Sequence, residues 1–349
     1  MRSTVGRDFY SRTPTCHMHA LNRLLLVLSV ALCPGFAADD LRLESFAYPF
    51  PVQIFKLKSQ RQELEMAYMD MNPERTPSGT IVLLHGKNFS GAYWQETAEA
   101  LRARGLRVIM PDQLGFGKSS KPQNYQFTFQ QLAANTRELL HQLGVGRAHV
   151  LGHSMGGMLA ARFALMFPDE VQSLTLLNPL GLEDWKAKGV PYRTIDALYQ
   201  GELTQNAEKI RAYQRENYYG GDWRPAYDRW VDMLVTFTRS PDYARMAWVQ
   251  ALTSDMIYTQ PVCYEFKHIK VPTLLVIGLR DRTAPGKDRV PPEAQSELGN
   301  YPALGRATAK EIRGSRLIEL EGVGHAPHLE AFPKFIVPLR DFLENSPPR

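Results

Sequence analysis

The fold of this chain is decided by the stretch Val150-Leu151-Gly152-His153-Ser154-Met155-Gly156-Gly157-Met158-Leu159. Residues 148–151 predict a buried strand and residues 155–166 predict a helix, so the serine falls at the corner between them. Glycines stand two residues before Ser154 and two after it, which is the G-x-S-x-G spacing of a nucleophile elbow. Side chains at the glycine positions would collide with the adjoining strand and helix. The pattern therefore predicts a serine hydroxyl held above the edge of a sheet.

Strand and helix patterns alternate on both sides of this elbow. Seven further stretches predict strands: 53–58, 64–70, 80–84, 107–110, 173–177, 272–278 and 316–320. Helical patterns follow most of them, at 93–104, 127–143, 303–312 and 332–343. The alternation predicts an α/β fold with a mostly parallel, eight-stranded sheet, helices on both faces and an antiparallel pair at the start. Ligands of such sheets bind at the carboxyl ends of the strands, where Ser154 stands.

The pattern changes between residues 182 and 262. This stretch lacks buried strand runs, predicts several helices and holds four of the five tryptophans, Trp185, Trp223, Trp230 and Trp248. We interpret it as an inserted α-helical cap (182–262), so the core comprises residues 38–181 and 263–349. The aromatic residues of the cap could line a pocket over Ser154, although for each single one a place in the packed interior of the cap is the simpler explanation.

The N-terminal segment, residues 1–37, predicts an export signal. Arg23 precedes the apolar run 24–32, and Gly35-Phe36-Ala37 places small residues at the positions that a signal peptidase reads. The run is too short to span a bilayer as a stable helix. We therefore expect a periplasmic or secreted protein with no stable membrane insertion after signal removal. An uncleaved anchor or a buried helix is the alternative, and Met18 is an alternative start.

Charge and cysteine content exclude several classes of protein. The net charge of +5 arises largely from four arginines in the first 37 residues, and no Lys/Arg run occurs elsewhere, so nothing indicates a nucleic-acid partner. Cys263 is the single cysteine beyond that segment, so no internal disulfide is expected in the mature monomer. Neither H-E-x-x-H nor paired Cys/His spacing occurs, and no metal or other cofactor is expected. The oligomeric state is not indicated.

The elbow serine needs two partners. A serine hydroxyl is a poor nucleophile unless a base lies in hydrogen-bond reach and a carboxylate orients that base. Asp281 follows a predicted strand and His325 follows the last one, which gives the order Ser154, Asp281, His325 expected for a nucleophile-elbow enzyme. Asp112, which we interpret as structural, is the reserve acid, and His328 is the alternative base.

From about residue 50 to its end the chain resembles the α/β-hydrolase fold superfamily of serine esterases and lipases. Five motifs carry the resemblance in the expected order: His85-Gly86, Asp112 to Ser119, Gly152 to Gly156, Gly278 to Asp281 and Gly324 to Pro327. The resemblance implies Ser154 as nucleophile, His325 as general base and then acid, and Asp281 as the residue that orients it. It also implies an oxyanion hole formed by the backbone amides of Lys87 and Met155. Lys87 is a departure, because the residue after His-Gly is often apolar in the family.

These features together predict an exported serine hydrolase that cleaves small to medium carboxylic esters through an acyl-enzyme intermediate. The aromatic-rich cap favours a small-molecule substrate with an apolar acyl or alcohol part. Dehalogenase-like and epoxide-hydrolase-like relatives carry aspartate at the elbow, so the serine argues against both. The open alternatives are a carbon–carbon bond hydrolase, a cofactor-free haloperoxidase, a ligand-binding receptor, and an aminopeptidase or amidase. The last would need a cap carboxylate for the substrate amine, such as Glu202, Glu208, Glu216 or Asp222.

Overall fold

Strands and helices alternate along residues 41–346, the part of the chain that the computed structural model describes. The strands are β1 (Val52–Ser59), β2 (Gln62–Met71), β3 (Gly79–Leu84), β4 (Leu106–Pro111), β5 (Ala148–His153), β6 (Val171–Leu177), β7 (Thr273–Gly278) and β8 (Arg316–Leu320). The helices are α1 (Gln95–Arg102), α2 (Phe129–Gln142), α3 (Met155–Met166), α4 (Ile195–Leu203), α5 (Ala207–Asn217), α6 (Asp228–Arg239), α7 (Tyr243–Thr259), α8 (Pro292–Gln295), α9 (Tyr301–Glu311), α10 (Pro327–Glu330) and α11 (Phe332–Glu344). The predicted export signal, residues 1–37, lies outside the described residues.

The strands form one sheet in the order β1-β2-β4-β3-β5-β6-β7-β8. The pairs β1/β2 and β2/β4 are antiparallel, whereas every pairing from β4 across to β8 is parallel. The prediction of an eight-stranded, mostly parallel sheet is thus confirmed. The strand that leads to Ser154, β5, lies inside the sheet between β3 and β6, and all of its residues are buried.

Alternate side chains of the sheet enter two separate apolar cores. In β3, Val82 and Leu84 belong to one core, whereas Ile81 and Leu83 belong to the other. This is the two-residue period of a strand that is covered on both faces. The first core includes residues of α2, α3 and α9, and the second includes residues of α1 and α11. Helices therefore cover both faces of the sheet, as the sequence predicts.

Four helices, α4 to α7, separate β6 from β7 along the chain. Within this segment α4 packs on α7 and α5 packs on α6. Several element boundaries differ from the sequence prediction by one or two residues, and α1, for example, begins at Gln95 and not at residue 93. Residues 91–94 form a tighter turn, in which the Ser90 hydroxyl accepts a hydrogen bond from the amide of Ala92 and caps the start.

The cysteine residue, possible metal ligands and helix lengths of the described residues bear on the remaining predictions. Cys263 is a free thiol. Within residues 41–346 no group of histidine, cysteine, aspartate and glutamate side chains is placed to hold a metal ion. The helices of the same residues include none that combines the length and the apolar character needed to cross a bilayer.

Candidate active site

Ser154 stands in the tight turn between β5 and α3. Its φ of 58° and ψ of −123° lie in a region that residues with a side chain rarely adopt. A Cβ on Gly152 would lie 2.0 Å from the carbonyl oxygen of Gly156, and a Cβ on Gly156 would lie 2.2 Å from that of Leu84. Only hydrogen fits at these two positions, which explains both glycines of the motif.

Three side chains from separate strand ends form one row of hydrogen bonds. The Oγ of Ser154 lies 2.9 Å from Nε2 of His325, and Nδ1 of that ring lies 2.6 Å from Oδ2 of Asp281. All three residues are buried. Because a carboxylate only accepts, the ring donates from Nδ1 and its Nε2 is left to accept the serine proton. The structure thus brings together the three residues that the sequence singles out.

The carboxylate of Asp281 has two further donors. Asn178, directly after β6, donates from Nδ2 to Oδ2 over 2.7 Å, and the amide of Thr283 donates to Oδ1 over 2.8 Å. The Oδ1 of Asn178 also accepts from the amide of Gly278 at 3.0 Å, which ties the ends of β6 and β7 together. Sequence reasoning missed Asn178, although a polar residue directly after a buried strand was the available signal.

Tyr218, in the turn after α5, covers the imidazole of His325. The two rings stack with centroids 5.2 Å apart and planes 24° from parallel. The carbonyl oxygen of Tyr218 accepts the amide hydrogen of His325 at 2.8 Å, and its hydroxyl accepts a hydrogen bond from Nδ2 of Asn88 at 2.7 Å. Sequence reasoning also missed this role, because no local pattern tells which turn of the α4–α7 segment reaches the imidazole.

A second network connects the main chain of His325 to the turn after β3. His153 donates from Nε2 to the carbonyl oxygen of His325 at 2.7 Å, and its Nδ1 lies 3.0 Å from the hydroxyl of Tyr93. The same hydroxyl accepts from the amide of Gly86 at 2.9 Å. Burial above all, with the nearby His328 and His325, lowers the pKa of His153 well below its ordinary value. A neutral His153 can therefore accept from Tyr93 while it donates to His325.

The two residues predicted to supply the oxyanion hole lie on the segments that adjoin the serine. Met155 is the first residue of α3, where main-chain amides have no partner within the helix and the helix dipole is positive. Gly86 packs against the serine, since a Cβ there would lie 3.1 Å from the Cβ of Ser154. Lys87, the next residue, lines the same cavity as Ser154.

Asp112 and His328, the alternative acid and the alternative base, do not belong to this row of hydrogen bonds. Asp112 accepts hydrogen bonds from the amide of Gly91 at 2.7 Å, the amide of Lys118 at 2.7 Å and the hydroxyl of Tyr48 at 2.6 Å. It therefore holds the loops after β3 and β4 together, which is a structural role. Neither ring nitrogen of His328 has a hydrogen-bond partner within residues 41–346. Burial lowers the pKa of His328 to about 3, with the nearby positive charge of a protonated His325 as the smaller cause.

Ser154 borders a cavity of about 450 Å³ between the core and helices α4 to α7. None of the four tryptophans of that segment lines it; Trp185 and Trp230, for example, are buried in the apolar cores. The aromatic part of the lining consists of Tyr213, Tyr218, Phe237 and Tyr243. Aliphatic side chains such as Leu180, Ile210 and Met246, and charged and amide side chains, among them Lys87, Glu202, Gln214 and Gln250, complete the wall. The wall is therefore largely apolar and carries a small number of charged and amide groups.

Known proteins resemble this chain over most of its length. The family described as alpha/beta hydrolase fold matches residues 79–332. Lipase 1 of Psychrobacter immobilis is 28% identical over 258 residues, which cover 72% of this chain and 72% of that protein. Proline iminopeptidase of Lactobacillus helveticus is 26% identical over 292 residues, which cover 78% of this chain and 92% of that protein. A probable hydrolytic enzyme from Pseudomonas aeruginosa PAO1, known from a crystal structure, is 51% identical with a TM-score of 0.85, over 86% of this chain and 97% of that one.

The family match and the observed sheet agree with each other. The matched residues include the elbow, both of its hydrogen-bonded partners and all of the sheet except β1 and β2. On these grounds the chain belongs to the α/β-hydrolase fold family.

Proposed function

We propose that this chain is a serine hydrolase that cleaves carboxylic esters through an acyl-enzyme formed on Ser154. The observation that carries the proposal is the hydrogen-bonded row from Asp281 through His325 to Ser154, which ends at a cavity large enough for a small molecule. A relative that is named a lipase adds support. The substrate is thus an ester with an acyl or alcohol part that fits this cavity.

The first half of the reaction transfers the acyl group to Ser154. Nε2 of His325 takes the hydroxyl proton while Oγ attacks the carbonyl carbon, and Asp281 stabilises the imidazolium that results. The carbonyl oxygen becomes an anion, which we assign to the amides of Met155 and Lys87. Each such donor contributes on the order of a hundredfold or more to the rate. The imidazolium then protonates the alcohol oxygen as the carbon–oxygen bond breaks.

The second half returns the enzyme to its starting state. Water attacks the acyl carbon while Nε2 of His325 takes one of its protons, and a second anion forms in the same place. When this intermediate collapses, the imidazolium gives its proton to Oγ of Ser154 and the carboxylic acid is released. Each half thus begins and ends with a neutral imidazole, and Asp281 keeps its Nδ1–H in place throughout.

The structure favours ester hydrolysis over aminopeptidase activity. An aminopeptidase of this fold needs a carboxylate for the ammonium of its substrate. Of Glu202, Glu208, Glu216 and Asp222, Glu202 is the one that lines the cavity. Its Oε1 lies 3.8 Å from Nζ of Lys87. A substrate ammonium at Glu202 would therefore meet a second positive charge at close range, which is unfavourable in a partly buried site. Asp222 pairs instead with Arg280.

Labelling and rate measurements test the proposal. The protein should form a covalent adduct with a fluorophosphonate probe at Ser154 and should hydrolyse p-nitrophenyl esters of graded acyl length. Ser154→Ala should do neither, whereas Ser296→Ala, a change at an exposed serine, should do both. Aminoacyl p-nitroanilides in the same assay test the peptidase alternative. A folded protein that neither labels nor hydrolyses any of the esters would overturn the proposal.

We extend the proposal to the location of the protein. The apolar run 24–32 behind Arg23, with small residues before position 38, supports cleavage of residues 1–37 and release into the periplasm or the medium. N-terminal sequencing of the protein recovered from these fractions should begin at or near Ala38. Recovery of a chain that retains residues 1–37 in the membrane fraction would favour the uncleaved anchor instead.

A further inference from the structure

Lys87 brings a positive charge into the wall of the cavity that Ser154 borders. Its side chain is 16% exposed, and its Nζ donates a hydrogen bond to Oε1 of Gln250 at 2.5 Å. Gln250 lies on α7, and Glu202, whose Oε1 is 3.8 Å from the same Nζ, lies on α4. The ammonium therefore stands where the turn after β3 meets two helices of the α4–α7 segment.

The hydrogen-bonding capacity of this ammonium is only partly used. Nζ has three donors, and within residues 41–346 Gln250 is the acceptor at hydrogen-bond distance. The 3.8 Å to Glu202 is beyond a direct hydrogen bond, so that carboxylate contributes charge but no close contact. Burial lowers the pKa of Lys87, and the charge of Glu202 opposes that shift. Burial thus disfavours the charged form of this side chain, and Glu202 offsets only part of that effect. An oxyanion amide at position 87 does not require a lysine side chain, which leaves the ammonium to be explained.

A second, independent feature of the same cavity also indicates a polar ligand. Gln214, on α5, lines the cavity and is fully buried, and neither Nε2 nor Oε1 of its amide has a partner within residues 41–346. A buried amide without partners is unfavourable unless a bound molecule supplies them. The formal charges of the lining, Lys87 and Lys209 against Glu202, leave an excess of one positive charge. The excess favours an anionic ligand over a cationic one.

We propose that the substrates of this site are esters that carry a carboxylate, such as half-esters of dicarboxylic acids, and that Lys87 is the residue that selects them. The inference rests on the proposed ester hydrolysis. The substrate carboxylate accepts from the free donors of the Lys87 ammonium, with Nε2 of Gln214 as a second donor. The chain between carboxylate and ester lies against apolar wall residues such as Phe237 and Met246. The carboxylate of Glu202 competes with that of the substrate for Lys87 and so lowers the affinity for the substrate.

Rates on matched esters test the selection. We expect kcat/KM for mono-4-nitrophenyl adipate to exceed that for 4-nitrophenyl hexanoate by about tenfold or more, the range of a charge-assisted hydrogen bond. The amine-bearing 4-nitrophenyl 6-aminohexanoate should be the poorest of the three. 5-Acetoxypentanoate, with its carboxylate on the alcohol side, compared with pentyl acetate, tells which part of the ester reaches Lys87. A preference for the acid on either side supports the proposal.

Two variants should move this preference in opposite directions. Lys87→Met removes the charge and should abolish the ratio between acidic and neutral ester, whatever it does to each separate rate. Glu202→Gln removes the competing anion and should raise the same ratio. General damage to the site cannot produce both results. The exposed Lys186→Met serves as the control and should leave the ratio unchanged.

Calorimetry on Ser154→Ala separates failure of this inference from failure of the proposed function. Monomethyl adipate, which this variant should not cleave, should bind about tenfold or more tightly than dimethyl adipate, and addition of Lys87→Met should remove the difference. Equal binding of the two esters together with equal rates on acidic and neutral esters would overturn the carboxylate site while ester hydrolysis stands. If the wild-type protein hydrolyses no ester, the proposed function falls, and the calorimetric difference still decides whether Lys87 binds a carboxylate.

Discussion

The carbonyl oxygen of Tyr218 accepts the amide hydrogen of His325 at 2.8 Å, and the rings of the two residues stack 5.2 Å apart. Tyr218 belongs to the α4–α7 segment, so this segment helps to orient the imidazole as well as to enclose the cavity. The hydroxyl of Tyr218 accepts a hydrogen bond from Asn88, which lies in the same turn as Lys87. One residue thus connects the proposed base with the proposed oxyanion loop.

The first prediction concerns this stack. Tyr218→Leu should lower kcat/KM for p-nitrophenyl esters by about two- to twelvefold, because a stacked ring pair contributes about 0.5–1.5 kcal/mol. Tyr218→Phe keeps the ring and the carbonyl contact and loses only the hydrogen bonds of the hydroxyl with Asn88 and Tyr213, so it should retain most of the activity. Steady-state kinetics of both variants provide the check. Equal activity of Tyr218→Leu and the wild type would show that the stack does not orient the imidazole.

The second prediction concerns the support of Asp281. Asn178→Asp keeps the shape of the side chain but replaces the donor to Oδ2 of Asp281 with a second carboxylate at about the same place. The like charge and the lost donor should lower kcat by about tenfold or more. Circular dichroism should confirm that the variant is folded. An unchanged kcat would mean that Asp281 is held without Asn178.

The third prediction concerns the elbow glycines. Gly152→Ala places a Cβ 2.0 Å from the carbonyl oxygen of Gly156, a backbone atom that cannot move without shifting α3. The free energy of unfolding should fall by about 3 kcal/mol or more. The matched control is Gly146→Ala, where a Cβ meets no atom within 4 Å and the change should stay within about 0.5 kcal/mol. Urea unfolding of the two variants measures the contrast, and similar stabilities would contradict the packing argument.

The fourth prediction concerns pH and stability. His328 is buried with its ring 4.5 Å from those of Tyr93 and Trp94, and its pKa is lowered from 6.5 to about 3, mainly by burial. The unfolded chain therefore binds a proton between these pH values that the folded chain does not bind. The contribution of His328 to the free energy of unfolding is fully present above about pH 6.5. It is lost as the pH falls towards 3, by about 1.4 kcal/mol per pH unit.

Replacement of this histidine should remove that dependence. In urea unfolding, the wild-type protein should lose about 2 kcal/mol more than His328→Leu between pH 7 and pH 5. At pH 7 the variant should be close to the wild type, because leucine has a similar volume and leaves no buried nitrogen without a partner. Equal losses in the two proteins would show that His328 is not kept neutral by the fold.

Much of the core could be predicted because its signals are local. The strands β5, β6 and β7 are buried along their whole length. Their sequence signal is a short apolar run in each, at 150–151 in β5, 176–177 in β6 and 274–277 in β7. The elbow glycines mark the turn at Ser154 by themselves. Since parallel strands end at one edge of a sheet, polar residues after these runs were expected to lie near one another. The same reasoning extends to Asn178, which follows β6 directly.

The α4–α7 segment could not be predicted in the same way. Which side chains face the cavity depends on how these helices pack, and the sequence does not contain that information in one window. Trp185 and Trp230 gain most from complete burial and are found in the cores, whereas Tyr213 and Tyr243 carry hydroxyls and line the cavity. Composition thus predicts that aromatic residues of this segment contribute to the cavity, but it does not tell which of them do.

The hydrogen bond from Asn178 to Asp281 joins two residues 103 positions apart in the chain. Asn178 directly follows β6 and Asp281 lies just after β7, so the bond connects the ends of the two strands between which helices α4 to α7 are inserted. The nucleophile, the base and the carboxylate are consequently held at the ends of the sheet strands, and none of the three lies on the inserted helices. Evolution or a protein engineer could exchange helices α4 to α7 for others without disturbing the chemistry, provided that the new segment supplies both a ring and a main-chain carbonyl to His325, as Tyr218 does. The part of the cavity wall that this segment supplies would then change, while the turn that carries Lys87 stays in place.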